Sequence, residues 1–348
     1  MNRRGMVFGV TCLLLSIALL ATAAMTVSAQ GISLPKGNWV IALSNSYYGN
    51  TWRKQMVESF TNVAEQAKKS GLIKDYIIVN GDGTQNTQIA QMNSLVLRGV
   101  NAIALNAASP TALNDVIAQA SKAGIKVVSF DSIADSPFCY KINFNFKDEG
   151  VQRVDYVAKR FGKKDINVIQ ILGVSGSAPA IDMFQGQVDE LKKYPNIHVV
   201  AKVEGEASAS TTQQNLSNVI PSLPQIDAVL TQAGNDAYGA VQAFEASGRP
   251  MPLILGDDTS EFMQWWIKMK KEKGYETFSI GSAPGIGAAA FWVSLAILDG
   301  VKVPQFMMQP ESPVTQTDVE QYANLKPGMV VSPDFTWDYV QKHLLNQQ

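Results

Sequence analysis

The chain has 348 residues, of which 46% are hydrophobic, with 29 lysines and arginines against 30 aspartates and glutamates. This length is long for one domain and comfortable for two. The near-neutral charge gives no indication of a partner such as nucleic acid or an anionic membrane. Two histidines, His198 and His343, are too few and too far apart for a histidine-built metal site. We therefore predict no metal, no cofactor and no nucleic-acid partner.

Residues 1–29 have the pattern of a cleavable secretion signal. Arg3 and Arg4 form a basic start, residues 7–24 are apolar, and a V-S-A sequence ends the segment. The apolar run is long enough that an uncleaved membrane anchor is an alternative. Without this leader the chain has 27 basic and 30 acidic residues and a single cysteine, Cys139, which excludes an internal disulfide. We predict a soluble monomer that is exported to the periplasm.

Short apolar runs alternate with helical patterns along the rest of the chain. The runs are continuous and β-branched, as expected for parallel strands that are covered on both faces. The predicted strands are 39–43, 76–79, 102–105, 126–130, 167–172, 198–203, 228–230, 253–255 and 277–280. The predicted helices are 51–70, 85–98, 111–123, 149–162, 180–194, 210–220, 236–247, 261–272 and 286–298. This order predicts an α/β protein with two lobes, each containing a doubly wound parallel sheet.

The turn after the first strand, within residues 41–56, gives the clearest indication of a ligand site. In an open parallel sheet this turn lies at the carboxyl edge, where such folds bind ligands. It contains amide, hydroxyl and aromatic groups and has no glycine run for a phosphate. Flat rings beside short polar groups such as Ser46 and Asn50 suit a neutral polyhydroxylated ligand. The alternative is a tyrosine-rich surface loop.

The chain lacks a recognisable set of catalytic residues. The G-V-S-G-S sequence at 173–177 departs from the G-x-S-x-G nucleophile elbow, and neither histidine has a partner pattern. The glycines at 285 and 287 fit a relaxed dinucleotide fingerprint, but no ribose-binding acid follows at the expected distance. We therefore predict a binding protein and not an enzyme.

Several blocks, taken in order, give the chain a family resemblance. They are SNSYYGNTW at 44–52, LVLRGVNAIALNAASPTAL at 95–113, AGIKVVSFDS at 123–132, GVSGSAPAIDMFQGQ at 173–187, TQAGNDAYGAVQAF at 231–244 and LGDDTS at 255–260. In this order they resemble the ribose-binding-protein family, the periplasmic sugar receptors of ABC importers. The resemblance covers almost the whole chain after the leader.

The resemblance implies the type I periplasmic binding fold, in which two lobes joined by a three-segment hinge close on a small ligand. The hinge segments would fall near residues 141–146, 281–284 and 329–336. The N-terminal lobe would combine residues 38–141 with 284–328. The C-terminal lobe would combine residues 142–283 with 329–348.

The resemblance also implies ligand-binding residues. Tyr48 and Trp52 would supply ring faces, and Asp131 at the end of the fourth strand would accept hydrogen bonds from two hydroxyls. Asn235 and Asp258 match ligand positions of the second lobe. A structural alternative applies to each polar residue, because Asp131 is also placed to cap a turn and the other two to cap helices. Asp257, the residue before Asp258, is an equal candidate for facing the ligand.

Three positions depart from the pattern of the ribose binders. Ser132 replaces an arginine, Met183 replaces a second arginine, and Ser282 replaces a glutamine. These changes weigh against ribose itself, unless residues such as Arg53 or Asp257 compensate. Ser132 is kept as a candidate contact with another sugar or polyol.

The sequence therefore predicts a receptor that binds a small neutral monosaccharide or polyol between two lobes and delivers it to an inner-membrane ABC permease. The alternative within the same fold is a signalling receptor that presents its ligand to a chemoreceptor or a sensor kinase. Sugar-responsive repressors share the two lobes, but they need an N-terminal helix-turn-helix where this chain has a secretion signal.

Overall fold

The computed structural model describes Leu34 and residues 36–232, 235–311 and 313–347. The predicted secretion signal at residues 1–29 lies outside this part of the chain. None of the helices in the described ranges is long and apolar enough to cross a membrane.

Strands and helices alternate along the described chain. The strands are β1 (Val40–Asn45), β2 (Asp75–Asn80), β3 (Ala102–Asn106), β4 (Lys126–Phe130), β5 (Tyr140–Asn143), β6 (Ile166–Leu172), β7 (Ile197–Glu204), β8 (Ala228–Leu230), β9 (Leu253–Ile254) and β10 (Phe306–Met308). The helices are α1 (Thr51–Ser70), α2 (Gln85–Leu97), α3 (Asn114–Lys122), α4 (Phe146–Phe161), α5 (Ala178–Leu191), α6 (Ala209–Val219), α7 (Asp236–Ser247), α8 (Ser260–Lys273), α9 (Ile286–Leu298) and α10 (Trp337–Val340).

The first lobe is built on a sheet with the strand order β10-β5-β4-β3-β1-β2, in which the strands pair in parallel. Successive residues of β1 point to opposite faces of this sheet. Leu43 therefore lies in a core with Phe60 of α1 and Phe291 of α9, whereas Ala42 lies in a second core with Met92 of α2. Helices cover both faces, which explains why the strands are continuously apolar.

The second lobe is built on a parallel sheet with the order β7-β6-β8-β9. Successive residues of its strands also point to opposite faces of the sheet. Val168 of β6 packs in a core with Val154 of α4, and the next residue, Ile169, packs on the other face with Phe244 of α7 and Trp266 of α8. The turns that follow the carboxyl ends of both sheets lie around one region of the molecule.

The described chain passes between the two lobes at four places. The passages are at residues 143–146, 280–286, from Met308 to Val314, and 329–335. The passage after Met308 adds to the three predicted hinge segments. It was not recognised because it has no strand or helix pattern of its own.

The C-terminal part of the chain packs differently from the predicted division. Val314 and Val319 lie in the second-lobe core, although residues 284–328 were assigned to the first lobe. Val340 and Leu344 lie in the first-lobe core with α9, although residues 329–348 were assigned to the second lobe.

Most predicted elements are present, with ends displaced by a few residues. The predicted strand at 277–280 is wrong, because Ser279 makes only isolated bridges with Gly256 and Val314. Strands β5 and β10 were not predicted, since they are only four and three residues long and β5 contains polar residues.

Helices α4 and α5 approach so closely that their contact requires glycine. A Cβ atom on Gly150 would overlap the carbonyl group of Met183, and one on Gly186 would overlap the carbonyl group of Lys147. We expect Gly150→Ala to lower the free energy of unfolding by about 1–3 kcal/mol, because backbone atoms must move. Urea denaturation of the leader-free protein measures this effect, with Lys159→Ala on the exposed side of α4 as the control. Equal stability of the two variants would contradict the close contact.

Candidate functional site

A cavity lies between the lobes, where the carboxyl ends of the two sheets meet. The start of α1 and the turn after β4 form its first-lobe wall. The starts of α4 and α5 and the turns after β7, β8 and β9 form the opposite wall. The cavity contains ≈ 660 Å³ of atom-free space, including its open mouth. The location is the one where open α/β sheets bind ligands.

The first-lobe wall contains a buried carboxylate and a buried guanidinium group. Asp131 directly follows β4, and its Oδ2 atom accepts a hydrogen bond from Asn106 Nδ2 at 3.1 Å. Arg53 Nη1 donates to Asn45 Oδ1 at 3.1 Å and also to Asn106 Oδ1. Burial raises the pKa of Asp131, and the charge of Arg53 opposes this rise. These bonds hold both charged groups in place before any ligand arrives.

Aromatic rings reach the cavity from both lobes. Trp52 is 8% exposed, and its Nε1 atom donates to the carbonyl oxygen of Ser282, in the second passage, at 2.7 Å. Phe146 lines the opposite wall at the start of α4. Asn50 also lines the cavity and caps α1, because its side chain accepts a hydrogen bond from the backbone N of Arg53 at 2.8 Å. The predicted residues Asn50, Trp52 and Asp131 are thus brought together.

The second-lobe wall is organised by Arg153, which is fully buried in α4. Its Nη1 atom lies 3.6 Å from Glu149 Oε2, and its Nη2 atom lies 3.6 Å from Asp257 Oδ1. The Nη2 atom also donates to the carbonyl oxygen of Ile280 at 2.5 Å. Burial raises the pKa of Glu149 to about 8, and the charge of Arg153 opposes the rise. The Arg153 guanidinium group thus interacts with two buried carboxyl groups, those of Glu149 and Asp257.

The two aspartates after β9 have different positions. Asp257 lines the cavity, and it accepts hydrogen bonds from Thr231 Oγ1 at 2.7 Å and from the backbone N of Ala237 at 2.8 Å. Asp258 is buried outside the lining, where its Oδ1 atom accepts from Ser279 Oγ at 2.5 Å. Burial raises the pKa of Asp258 to about 7, and the bond from Ser279 opposes this rise. Of this pair, the structure places Asp257 in the cavity wall.

Three other predicted residues lie outside this cavity. The Ser132 hydroxyl is buried and donates to the carbonyl oxygen of Ala107 at 2.7 Å. Tyr48 is 45% exposed and is not among the lining residues. Ser46 lines a neighbouring cavity at the same edge of the sheet, which shares Arg53 with the main cavity.

Asn235 lies at the junction of the lobes. Its Nδ2 atom reaches Thr51 Oγ1, at the start of α1, at 3.4 Å. Its side chain makes no capping hydrogen bond to α7, the role proposed as the alternative from sequence. Its Oδ1 atom is buried and has no hydrogen-bond partner among the described residues.

Strained backbone conformations concentrate beside the cavity. Among the described residues other than glycine, φ is positive at Asp131 (57°), Glu206 (56°), Ala207 (55°) and Asp258 (55°). Asp131 and Ala207 line the cavity, and Asp258 is adjacent to a lining residue. Such conformations cost about 1–3 kcal/mol each and tend to occur at ligand sites. The backbone therefore points to the same functional region as the side chains.

Gln232 and Glu149 are among the polar residues of the second-lobe wall that sequence reasoning missed. Gln232 follows β8, and its Oε1 atom accepts from the backbone N of Gly173 at 2.8 Å, whereas its Nε2 atom has no partner within the described ranges. The position of Gln232 just after a predicted strand could have identified it as a candidate ligand contact. Glu149 resembled an ordinary acidic residue in the first turn of a helix, so no local signal marked it.

The buried charges around Arg153 give a testable expectation for stability. We expect Arg153→Leu to lower the free energy of unfolding by about 3–5 kcal/mol, because Glu149 and Asp257 would lose their shared cation. Chemical denaturation at neutral pH measures the loss. Arg160→Leu on the same helix is the control, since Arg160 is half exposed in its pair with Glu276 and should contribute about 0–1 kcal/mol. A loss of less than 1 kcal/mol at Arg153 would contradict the network.

Comparisons with known proteins agree with this architecture. The family model of the periplasmic binding protein domain matches residues 41–302. The crystal structure of an ABC transporter solute binding protein from Thermobispora bispora is 34% identical, with a TM-score of 0.82, and the match covers 88% of this chain and 95% of that chain. This similarity confirms the predicted fold, two parallel-sheet lobes of the type I periplasmic binding class.

Curated relatives are more distant. A xylitol-binding protein of Mycolicibacterium smegmatis is 30% identical over 178 residues, which are 51% of this chain and about half, 51%, of that protein. A ribose import binding protein of Bacillus subtilis is 25% identical over 81% of this chain and 88% of its own length. Because the family model spans well over half of the residues, the chain belongs to the periplasmic binding protein domain family.

Proposed function

We propose that this protein binds a small neutral monosaccharide or polyol between its lobes and delivers it to an ABC permease. The observation that carries this proposal is the joint presence of the Trp52 ring and the Asp131 carboxylate in one cavity between the lobes. Family membership supports it. Xylitol and ribose, named for two relatives, are both neutral and polyhydroxylated.

The polar groups of the first lobe suit hydroxyl recognition. Asp131 is held by Asn106 and accepts further hydrogen bonds from ligand hydroxyls, and an ionised acceptor makes such bonds stronger. Arg53 adds a fixed donor on the same wall. Trp52 and Phe146 offer apolar faces to the C–H side of a sugar. We include Asn50 among the proposed contacts, because it lines the cavity.

The cellular setting is part of the proposal. The basic and apolar leader supports export to the periplasm, where receptors of this family work. The passages between the lobes would act as hinges, and closure on the sugar would create the form that a permease recognises.

A thermal-shift screen of the leader-free protein tests the proposed function. The panel contains pentoses, hexoses, deoxysugars, furanosides and polyols, including ribose and xylitol. A compound that binds only the folded state must raise the melting temperature by mass action. We expect at least one neutral panel member to give a saturable shift, confirmed by calorimetric titration. No binding across the panel would contradict the proposal, and a shift by amino acids or inorganic ions would then indicate another class of ligand.

A further inference from the structure

Glu149 is a buried carboxyl group in the cavity wall that receives no hydrogen bond. The residue is 0% exposed, and neither Oε1 nor Oε2 has a hydrogen-bond partner among the described residues. Arg153 Nη1 lies 3.6 Å from Oε2 and donates instead to the backbone carbonyl oxygen of Glu149 at 3.3 Å. A buried carboxyl group without donors is costly. The hydrogen-bonding capacity of the Glu149 carboxyl group therefore stays unused until a ligand supplies donors.

The charges that face Glu149 are mostly negative. Arg153 on its own helix is the opposing cation. Asp258 from the turn after β9, Asp131 from the turn after β4, and Glu311 from the passage after β10 add negative charge. A ligand that brings another negative charge would be repelled, whereas a ligand that brings hydrogen-bond donors would be stabilised.

We propose that Glu149 is a ligand contact that determines specificity, whose carboxylate accepts hydrogen bonds from two ligand hydroxyls and excludes anionic sugars. This inference rests on the proposed function, because it concerns the same cavity. It narrows the ligands to neutral sugars and polyols with hydroxyls directed at the second lobe. Glu149 and Asp131 then hold the ligand from opposite walls, so both lobes contribute an ionised acceptor.

A proton should accompany this contact. Burial raises the pKa of Glu149 to about 8, so the empty protein keeps this carboxyl group mainly protonated at neutral pH. Hydroxyl donors favour the ionised form, so binding lowers the pKa and releases a proton. The affinity should therefore increase as the pH rises, by up to ~100-fold between about pH 6 and pH 9.

Calorimetric titration of wild type and Glu149→Gln tests the inference. Xylitol and D-ribose serve as neutral probes, with xylonate and ribonate as their anionic counterparts; if neither neutral probe titrates, the panel sugar with the largest thermal shift and its aldonic acid replace them. Two buffers of different ionisation enthalpy give the number of protons released. The control is Glu190→Gln on α5, a buried carboxyl group outside the cavity lining that pairs with Lys193.

We expect wild type and the control to release a proton and to reject the aldonates. Glu149→Gln should bind the neutral probe ~10-fold more weakly near pH 8.5. It should also release fewer protons per ligand bound and discriminate less against the aldonate. Unchanged affinity and proton release in Glu149→Gln would overturn the inference and leave the proposed function standing. Absence of a pH dependence in wild type would also overturn it, without relying on a variant. Failure of wild type to bind any neutral panel member would overturn both.

Discussion

Asp131→Asn is expected to raise the Kd for the neutral sugar or polyol by ~100-fold or more, because two charge-assisted hydrogen bonds become weaker neutral ones. Asparagine has nearly the same shape, and it tolerates the left-handed backbone found at this position (φ 57°). The substitution also removes the negative charge that interacts with Arg53 on the first-lobe wall. Calorimetric titration measures the change in affinity.

The control for this variant is Asp227→Asn. Asp227 precedes β8, at the sheet edge opposite the cavity, where its Oδ2 atom accepts from the backbone N of Asn167 at 3.0 Å. We expect this variant to lose some stability and to keep its affinity. Binding by Asp131→Asn within about threefold of wild type would favour the alternative role of Asp131 as a turn residue.

Trp52→Ala is expected to raise the Kd by ~10–100-fold, because the ligand loses a stacked ring and the lobes lose a mutual contact. The Nε1 atom of Trp52 donates to the Ser282 carbonyl oxygen at 2.7 Å, so the ring both faces the cavity and fixes the second passage. Trp52→Phe separates these roles, since it keeps an aromatic face and removes the hydrogen bond. We expect its Kd to lie between those of wild type and Trp52→Ala.

Trp265→Ala provides the matched control for Trp52→Ala. Both tryptophans are 8% exposed, but Trp265 lies in the second-lobe core and donates to Glu245 Oε1 at 3.2 Å. Each alanine variant should lose about 3–5 kcal/mol of stability, since each leaves a cavity. Only Trp52→Ala should lose affinity as well, and equal affinities of the two variants would remove Trp52 from the site.

Local patterns were sufficient to predict the strand and helix order and one wall of the cavity. Buried parallel strands are continuously apolar, and their carboxyl ends meet at one edge, so the turn after β1 was expected at the ligand site from chain order. The ligand roles of Trp52 and Asp131 were expected from the family resemblance. The family resemblance also suggested Tyr48 and Ser132, which the structure places outside the cavity lining. Tyr48 is 45% exposed outside the cavity lining, and the Ser132 hydroxyl is already used by the Ala107 carbonyl group.

The opposite wall depends on contacts between distant parts of the chain. Glu149 has the appearance of an ordinary acid at a helix start, one turn before Arg153 on the same helix, and only the tertiary structure brings this pair together with Asp257 at the cavity. The C-terminal division also depends on such contacts, because Val314 is an isolated apolar residue, and the helical spacing of Val340 and Leu344 predicts a buried face without indicating its lobe. Neither propensity nor spacing contains the information about which lobe such residues join.

A crystal structure of the leader-free protein with the strongest binder of the panel tests the central claim most directly. We expect the ligand between the lobes, in contact with Trp52 and Asp131 on one side and with α4 on the other. The chain has a second large groove between α1, α9 and residues 329–337, lined by Trp292 and Trp337. Ligand density in that groove, with an empty cavity between the lobes, would contradict the assignment of the binding site.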